Sequence, residues 1–200
     1  MTKPPLADSA LILAGGRSSR MGFDKKDLIL GRKRVFDALA AKLTKLFGQL
    51  LVSSNTELKG YEVLADDIGS GPLAGILQGL RRCRSRYLYV IACDMPFLNP
   101  DYLEHMRQII EKENCDVCLT GRPDGRYEPF NAFYSVNCLE TVEKGLEEEI
   151  FKIRPVLDRL DVHVVPPEEA ARFNSEVMFF NVNKPEDLKR AEELGLGEEF

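Results

Sequence analysis

The chain has 200 residues, a net charge of -5 and a pI near 5.3, long enough for one α/β domain of ordinary size. That charge argues against broad nucleic-acid binding, which relies on neutralising many phosphates, and 44% hydrophobic with 30% charged residues describes a soluble globular chain. The apolar runs are far shorter than a membrane span, no basic region precedes an apolar core at the N-terminus, and five cysteines without a leader suggest reduced thiols; a cytoplasmic protein with no membrane or nucleic-acid partner is the expectation.

The first element, Leu11-Ile12-Leu13, reads as a buried strand that breaks into Ala14-Gly15-Gly16, a Ser/Arg loop ending at Arg20, then Gly22 and Lys25. Adjacent glycines let the backbone approach a ligand closely. Backbone N–H groups in such a turn form an anion-binding nest, to which Arg20 and Lys25 add full charges. Neither the dinucleotide fingerprint nor the P-loop spacing fits, because the first two glycines are adjacent and Phe23-Asp24 follows Gly22. What fits is L-A-G-G-x-x-x-R-M-G-x-x-K, which resembles the signature of nucleotidyltransferases that activate a phosphorylated acceptor with an NTP.

Leu28-Ile29-Leu30 predicts a short strand, and Val35, Phe36, Leu39, Leu43 and Leu46 recur at helical spacing. Leu50 to Ser53 and Val63 to Ala65 read as strands, the first ending at Ser54-Asn55 and the second at Asp66-Asp67. After Gly69-Ser70-Gly71-Pro72, residues Leu73, Ile76, Leu77 and Leu80 mark a second helix. Tyr87 to Ala92 is the clearest strand and runs straight into Cys93-Asp94-Met95-Pro96, with a helix from Tyr102 to Glu113 beyond it. This alternation predicts a mostly parallel sheet with helices on both faces.

The C-terminal part is less regular. Asp116 to Thr120 and Asn131 to Ser135 read as strands flanking a polar loop from Gly121 to Phe130, a candidate lid or acceptor-binding segment carrying Arg122, Arg126 and Tyr127. Val162 to Val165 and Phe179 to Asn183 read as further strands, and Lys184-Pro185-Glu186-Asp187 opens a last helix. No linker divides the chain, so residues 1–200 are expected to form a single domain. Cys115-x-x-Cys118 has no second pair or histidine at zinc spacing and reads as core.

In open parallel sheets ligands bind beyond the carboxyl ends of the strands, and the Gly15-Gly16 loop, Asp66 and Asp94 all fall at such ends. Asp94 stands on a turn stiffened by Pro96 and suits Mg²⁺, which is commonly held by one or two carboxylates plus phosphates and waters. As a turn-former or helix cap it would instead have no chemistry.

Together these segments resemble the molybdenum cofactor guanylyltransferase (MobA) family over nearly the whole chain. The matching residues are Leu13-Ala14-Gly15-Gly16 with Arg20-Met21-Gly22 and Lys25, Asp66, Gly71-Pro72-Leu73-Ala74-Gly75, Cys93-Asp94-Met95-Pro96, and Asn181-Val182-Asn183-Lys184-Pro185-Glu186-Asp187-Leu188. The resemblance implies a Rossmann-like nucleotidyltransferase fold and transfer of GMP from GTP to molybdopterin carrying molybdenum, with release of pyrophosphate. By matched position Leu13, Ala14, Gly15 and Gly16 would hold the nucleotide through the backbone. Lys25 would meet its phosphates with Arg20, Asp66 would contact it, Asp94 would contact it and bind Mg²⁺, and Asn181 and Asn183 would sit on the pterin side. It further implies proteins that deliver or receive the cofactor. At the end of the second main strand, where related sequences can carry asparagine, this chain has Ser53, with Asn55 two residues on. A hydroxyl lacks the paired donor and acceptor of an amide, so a CTP-dependent sister transferase, or one with another phosphorylated acceptor, is the alternative. A nucleotide-binding adaptor without catalysis would require loss of the metal site.

Overall fold

Ser9–Leu13 forms β1, and all five of its residues are buried, as a central strand covered on both faces requires. A computed structural model describes residues 4–15, 29–30, 33–65, 71–182 and 185–193. Ile29–Leu30 (β2) and Lys33–Arg34 (β3) pair as a small antiparallel ribbon. Then come α1 (Val35–Leu46), β4 (Gln49–Ser53), β5 (Glu62–Leu64), α2 (Pro72–Arg82), β6 (Tyr87–Ala92) and α3 (Pro100–Glu113). The second half supplies β7 (Val117–Gly121), β8 (Tyr127–Ser135), α4 (Leu139–Glu147), α5 (Ile153–Leu157), β9 (Val162–Val165), α6 (Pro167–Ala170), α7 (Ser175–Met178) and α8 (Pro185–Glu193).

Among the described residues seven strands form one sheet in the order β5-β4-β1-β6-β8-β7-β9. Only β8 runs against its neighbours β6 and β7; the other pairings are parallel. The carboxyl ends of the parallel strands therefore share one edge with the amino end of β8. Strand alternation divides the core in two. Ile12, Tyr87, Tyr89 and Ile91 face α1 and α3 through Phe36, Leu39, Tyr102 and Met106. Leu11, Leu13, Leu88 and Val90 face α2 and α4 through Leu73, Ile76, Leu77 and Val142. Each such fully buried side chain contributes roughly 1.5–3 kcal/mol. Cys115 and Cys118 are buried in the first of these cores, and burial raises both thiols, the opposite of what a reactive thiolate needs.

The helix α2 lies unusually close to the sheet. It starts after Gly71, whose φ of 90° is in the region that favours glycine, with Pro72 at its first position. A Cβ on Gly75 would stand 2.6 Å from Ser53 Oγ and 2.7 Å from Leu13 Cδ2. Gly75→Val is therefore expected to lower unfolding free energy by about 1–3 kcal/mol, the usual cost of overpacking. A urea midpoint equal to wild type would mean that this contact has slack.

Two expectations need correction. Residues 179–182 are not a strand. Phe179 N donates to Ser175 O and Phe180 N to Val177 O, closing the end of α7. The two adjacent aromatics leave this turn toward different clusters, Phe179 against Tyr102 and Phe180 against Phe97. The polar loop is also shorter than expected, because β7 reaches Gly121 and β8 begins at Tyr127. Arg122 N donates to Arg126 O at 2.8 Å and Gly125, at φ 77°, turns the chain between them.

Candidate active site

Beyond Leu13 the backbone of β1 is clamped from both sides. Ala14 N donates to Ser53 O at 2.9 Å and Cys93 N donates to Leu13 O at 3.0 Å. Leu13 and Ala14 bury their side chains, which leaves backbone as what they present at the edge, and Gly15 is exposed. A Cβ on Gly15 would meet only Ser53 O, at an ordinary 3.9 Å. The described residues therefore impose no steric demand for glycine there.

Ser53 is 3% exposed, and its hydroxyl lies under α2 against Gly75. Asn55 is exposed, past Ser54, whose N–H donates to Leu64 O at 3.1 Å. The end of β4 thus presents the Asn55 side chain to solvent while Ser53 faces inward.

Asp94 is 6% exposed, two residues past β6, on a turn in which Met95 N donates to Ala92 O at 3.0 Å. It does not cap α3, since Asn99 Oδ1 performs that task by accepting from Asp101 N and Tyr102 N. Its carbonyl accepts from Val182 N at 2.9 Å, which brings Asn181 beside the Asp94 turn. The Asn181 amide in turn donates to Phe179 O at 3.1 Å. Leu13, Ala14, Gly15, Asp94 and Asn181 thus meet at the carboxyl edge, with the end of β4 next to them. Gly16, Arg20, Lys25, Asp66 and Asn183 lie outside the described residues.

A family model described as "MobA-like NTP transferase domain" matches residues 10–164. A molybdenum cofactor guanylyltransferase of Syntrophotalea carbinolica is 39% identical, over 94% of this chain and 92% of its own. A "probable molybdenum cofactor guanylyltransferase" of Peptoclostridium acidaminophilum is also 39% identical, over 92% of this chain and 88% of its own. The chain belongs to the molybdenum cofactor guanylyltransferase (MobA) family. The crystal structure of molybdopterin-guanine dinucleotide biosynthesis protein A from Archaeoglobus fulgidus superimposes with a TM-score of 0.82 at 31% identity, covering 94% of this chain and 98% of that one. This MobA family member is accordingly an enzyme of the nucleotidyltransferase kind with a Rossmann-like fold.

For a MobA family member, the least anticipated group at the carboxyl edge is Glu128. It sits at the start of β8 opposite Thr120 and is 5% exposed. Burial pushes its carboxyl up from 4.5 to about 7, and the charge of Asp94 adds to the effect. The Arg122 guanidinium and the Phe130 N–H pull the other way. Arg122 Nη1 donates to Glu128 Oε2 at 3.1 Å, and Arg126 pairs with Asp124 on the exposed tip. Asn131, 1% exposed at φ 55°, accepts from the Tyr89 hydroxyl, while its Nδ2 has no partner among the described residues. Glu128 and Asn131 fell at the end and beyond of what reads in the sequence as a polar loop. The available signal was the alternation of Tyr127, Glu128 and Pro129 running into the strand.

Proposed function

We propose that this chain transfers GMP from GTP to molybdopterin carrying molybdenum, forming the guanine dinucleotide form of the cofactor and releasing pyrophosphate. The reading rests above all on the carboxyl edge, where the Ala14-Gly15 backbone, the buried Asp94 and the Asn181 segment converge from distant parts of the chain. The relatives that carry the name of this activity, at 39% identity over nearly full length, support it. Residues 1–200 act as a single nucleotidyltransferase domain in this reading, because the β1–β4 half and the β7–β9 half share one sheet.

The backbone leaving β1, from Leu13 and Ala14 to Gly15 and Gly16, would hold the nucleotide, with Arg20 and Lys25 neutralising its phosphates and Asp66 contacting the nucleoside. The Asp94 carboxylate, completed by substrate phosphates and water, would make a hard oxygen donor set. Such a set fits a divalent cation, and Mg²⁺ is the one usually shared between one or two carboxylates and substrate phosphates. Bound there, Mg²⁺ would supply charge neutralisation at the α-phosphoryl group. Asn181 and Asn183 would hold the acceptor so that its phosphate oxygen lies in line with the bond to pyrophosphate. Such transfers depend on positioning and charge stabilisation, and the acceptor phosphate is already nucleophilic, so no covalent enzyme intermediate is expected. A reaction that consumes GTP and molybdopterin is assigned to the cytoplasm, with proteins that deliver or receive the cofactor as partners. Among the described residues no helix is long and apolar enough to cross a membrane.

Thermal stability with GTP, CTP, UTP or ATP, with and without Mg²⁺, tests this. At 100 times its Kd a ligand adds roughly 2.7 kcal/mol to the folded state, and GTP with Mg²⁺ is expected to produce the largest shift. A CTP preference would retain the mechanism and change the product, an outcome that the inward-facing Ser53 keeps open. No response to any nucleotide would overturn the assignment of the Leu13-Ala14-Gly15-Gly16 segment as the nucleotide site.

A further inference from the structure

A cavity of about 350 Å³ opens between the base of the β7–β8 hairpin and the α6–α7 segment, lined by Thr120, Arg122, Pro123, Glu128, Pro167 and Phe179, among others. That volume is within the range of small-molecule sites. Its place in the sheet separates it from the nucleotide turn. Ala14 and Gly15 lie on the β1–β4 side of Asp94, whereas the cavity lies on the β8–β7–β9 side. Phe179 in its wall is two residues from Asn181, and Asn181 adjoins the Asp94 turn. The cavity is thus next to the reacting centre and on the side left for the acceptor.

Proline and phenylalanine surfaces suit a flat ring, and Glu128 is the buried charged group in the lining. A carboxylate offers about four acceptor positions. Arg122 and the Phe130 N–H engage it already, so capacity remains for two further donors. Two parallel N–H donors on a planar edge are what a carboxylate recognises best, as in its pairing with guanidinium. A 2-amino-4-oxopyrimidine ring presents such an edge through its ring N–H and exocyclic amine.

We propose that Glu128 reads the 2-amino-4-oxopyrimidine edge of the pterin acceptor in this cavity, and so selects the acceptor ring. The assignment rests on the reading above that the acceptor is a pterin. Guanine carries the same edge, and the cavity's distance along the sheet from the Ala14-Gly15 turn favours the pterin as its occupant.

The test titrates the full chain, loaded with Mg²⁺ and a non-hydrolysable GTP analogue, with 6-hydroxymethylpterin and with the corresponding 2-oxo pteridine. Wild type is expected to favour the 2-amino ring by about tenfold or more, because a site built for a donor leaves an acceptor unpaired when that donor is missing. In Glu128→Gln an amide NH2 donor replaces one acceptor oxygen and opposes a ring donor, and the preference should fall to within about twofold. Glu128→Asp should keep part of it, and GTP affinity should stay at the wild-type value in both. With molybdopterin as acceptor, the Gln variant should raise the acceptor KM far more than it lowers kcat. An unchanged preference in Glu128→Gln overturns the assignment and leaves the function intact. Loss of GTP affinity in that variant moves the edge to guanine and overturns it too. Wild type that binds GTP and neither pteridine overturns the pterin reading together with this assignment.

Discussion

Replacing Asp94 with asparagine is expected to lower GMP transfer by about 10²–10³-fold at saturating GTP and Mg²⁺, with the fold intact. The change removes one negative charge and adds two N–H donors while keeping the side-chain shape. An amide is a poor ligand for a hard cation, and losing a preorganised electrostatic contact to a phosphoryl transition state typically costs about 3–4 kcal/mol, each 1.36 kcal/mol being a factor of about ten in rate. Asparagine retains the backbone carbonyl to which Val182 donates, so this anchor of the Asn181 segment should survive the change. Steady-state rates and a urea titration on the same preparation check both halves. Wild-type turnover in Asp94→Asn would remove Asp94 from the mechanism. A variant that is both slow and unstable would point to a structural carboxylate.

What could be read from the sequence follows from how local each signal was. β1 and β6 were legible because a strand buried on both faces must be apolar throughout, and Ser9–Leu13 and Tyr87–Ala92 bury every residue. The helices α1, α2 and α3 were legible because one apolar stripe per helix faces the sheet. Asp94 was legible as a polar residue directly after such a strand. Asn181 was found through resemblance alone, and its link to Asp94 depends on a hydrogen bond from Val182 that no local pattern announces. Phe179 and Phe180 misled because adjacent apolar aromatics suit a buried strand as well as a turn that serves two clusters. α4 through α7 are short or amphipathic pieces on the later strands, and their boundaries depend on packing against those strands. Glu128 was hidden for a similar reason. Whether a charged residue at a hairpin base faces solvent or a cavity is decided by cross-strand register, here Thr120 opposite Glu128.

The buried state of Glu128 also carries a cost that a stability measurement can read. Its folded carboxyl titrates near 7 against an ordinary 4.5, with burial as the main cause and Asp94 as a further one. The folded chain therefore holds this proton more tightly than the unfolded chain does, so stability from this group is fully present below about pH 4.5 and is lost as pH rises to about 7. At 1.36 kcal/mol per pKa unit the full loss is up to about 3 kcal/mol, with the lowering by Arg122 already contained in the shift. Glu128→Gln is neutral at all pH values and fits the same space, so it should be more stable than wild type by about 1–3 kcal/mol at pH 8, with the difference vanishing near pH 4. Urea midpoints at the two pH values measure this directly, and equal stability at pH 8 would mean that Arg122 compensates the buried charge in full. A gain in stability accompanied by loss of ring discrimination would be the behaviour of a site whose function needs a destabilising group. The gain would also establish that the Gln variant folds, so that its binding defect reports on recognition. With a divalent cation at Asp94 the repulsion between the two carboxylates falls, and the pH dependence of wild type should shift to lower pH when Mg²⁺ and nucleotide are added.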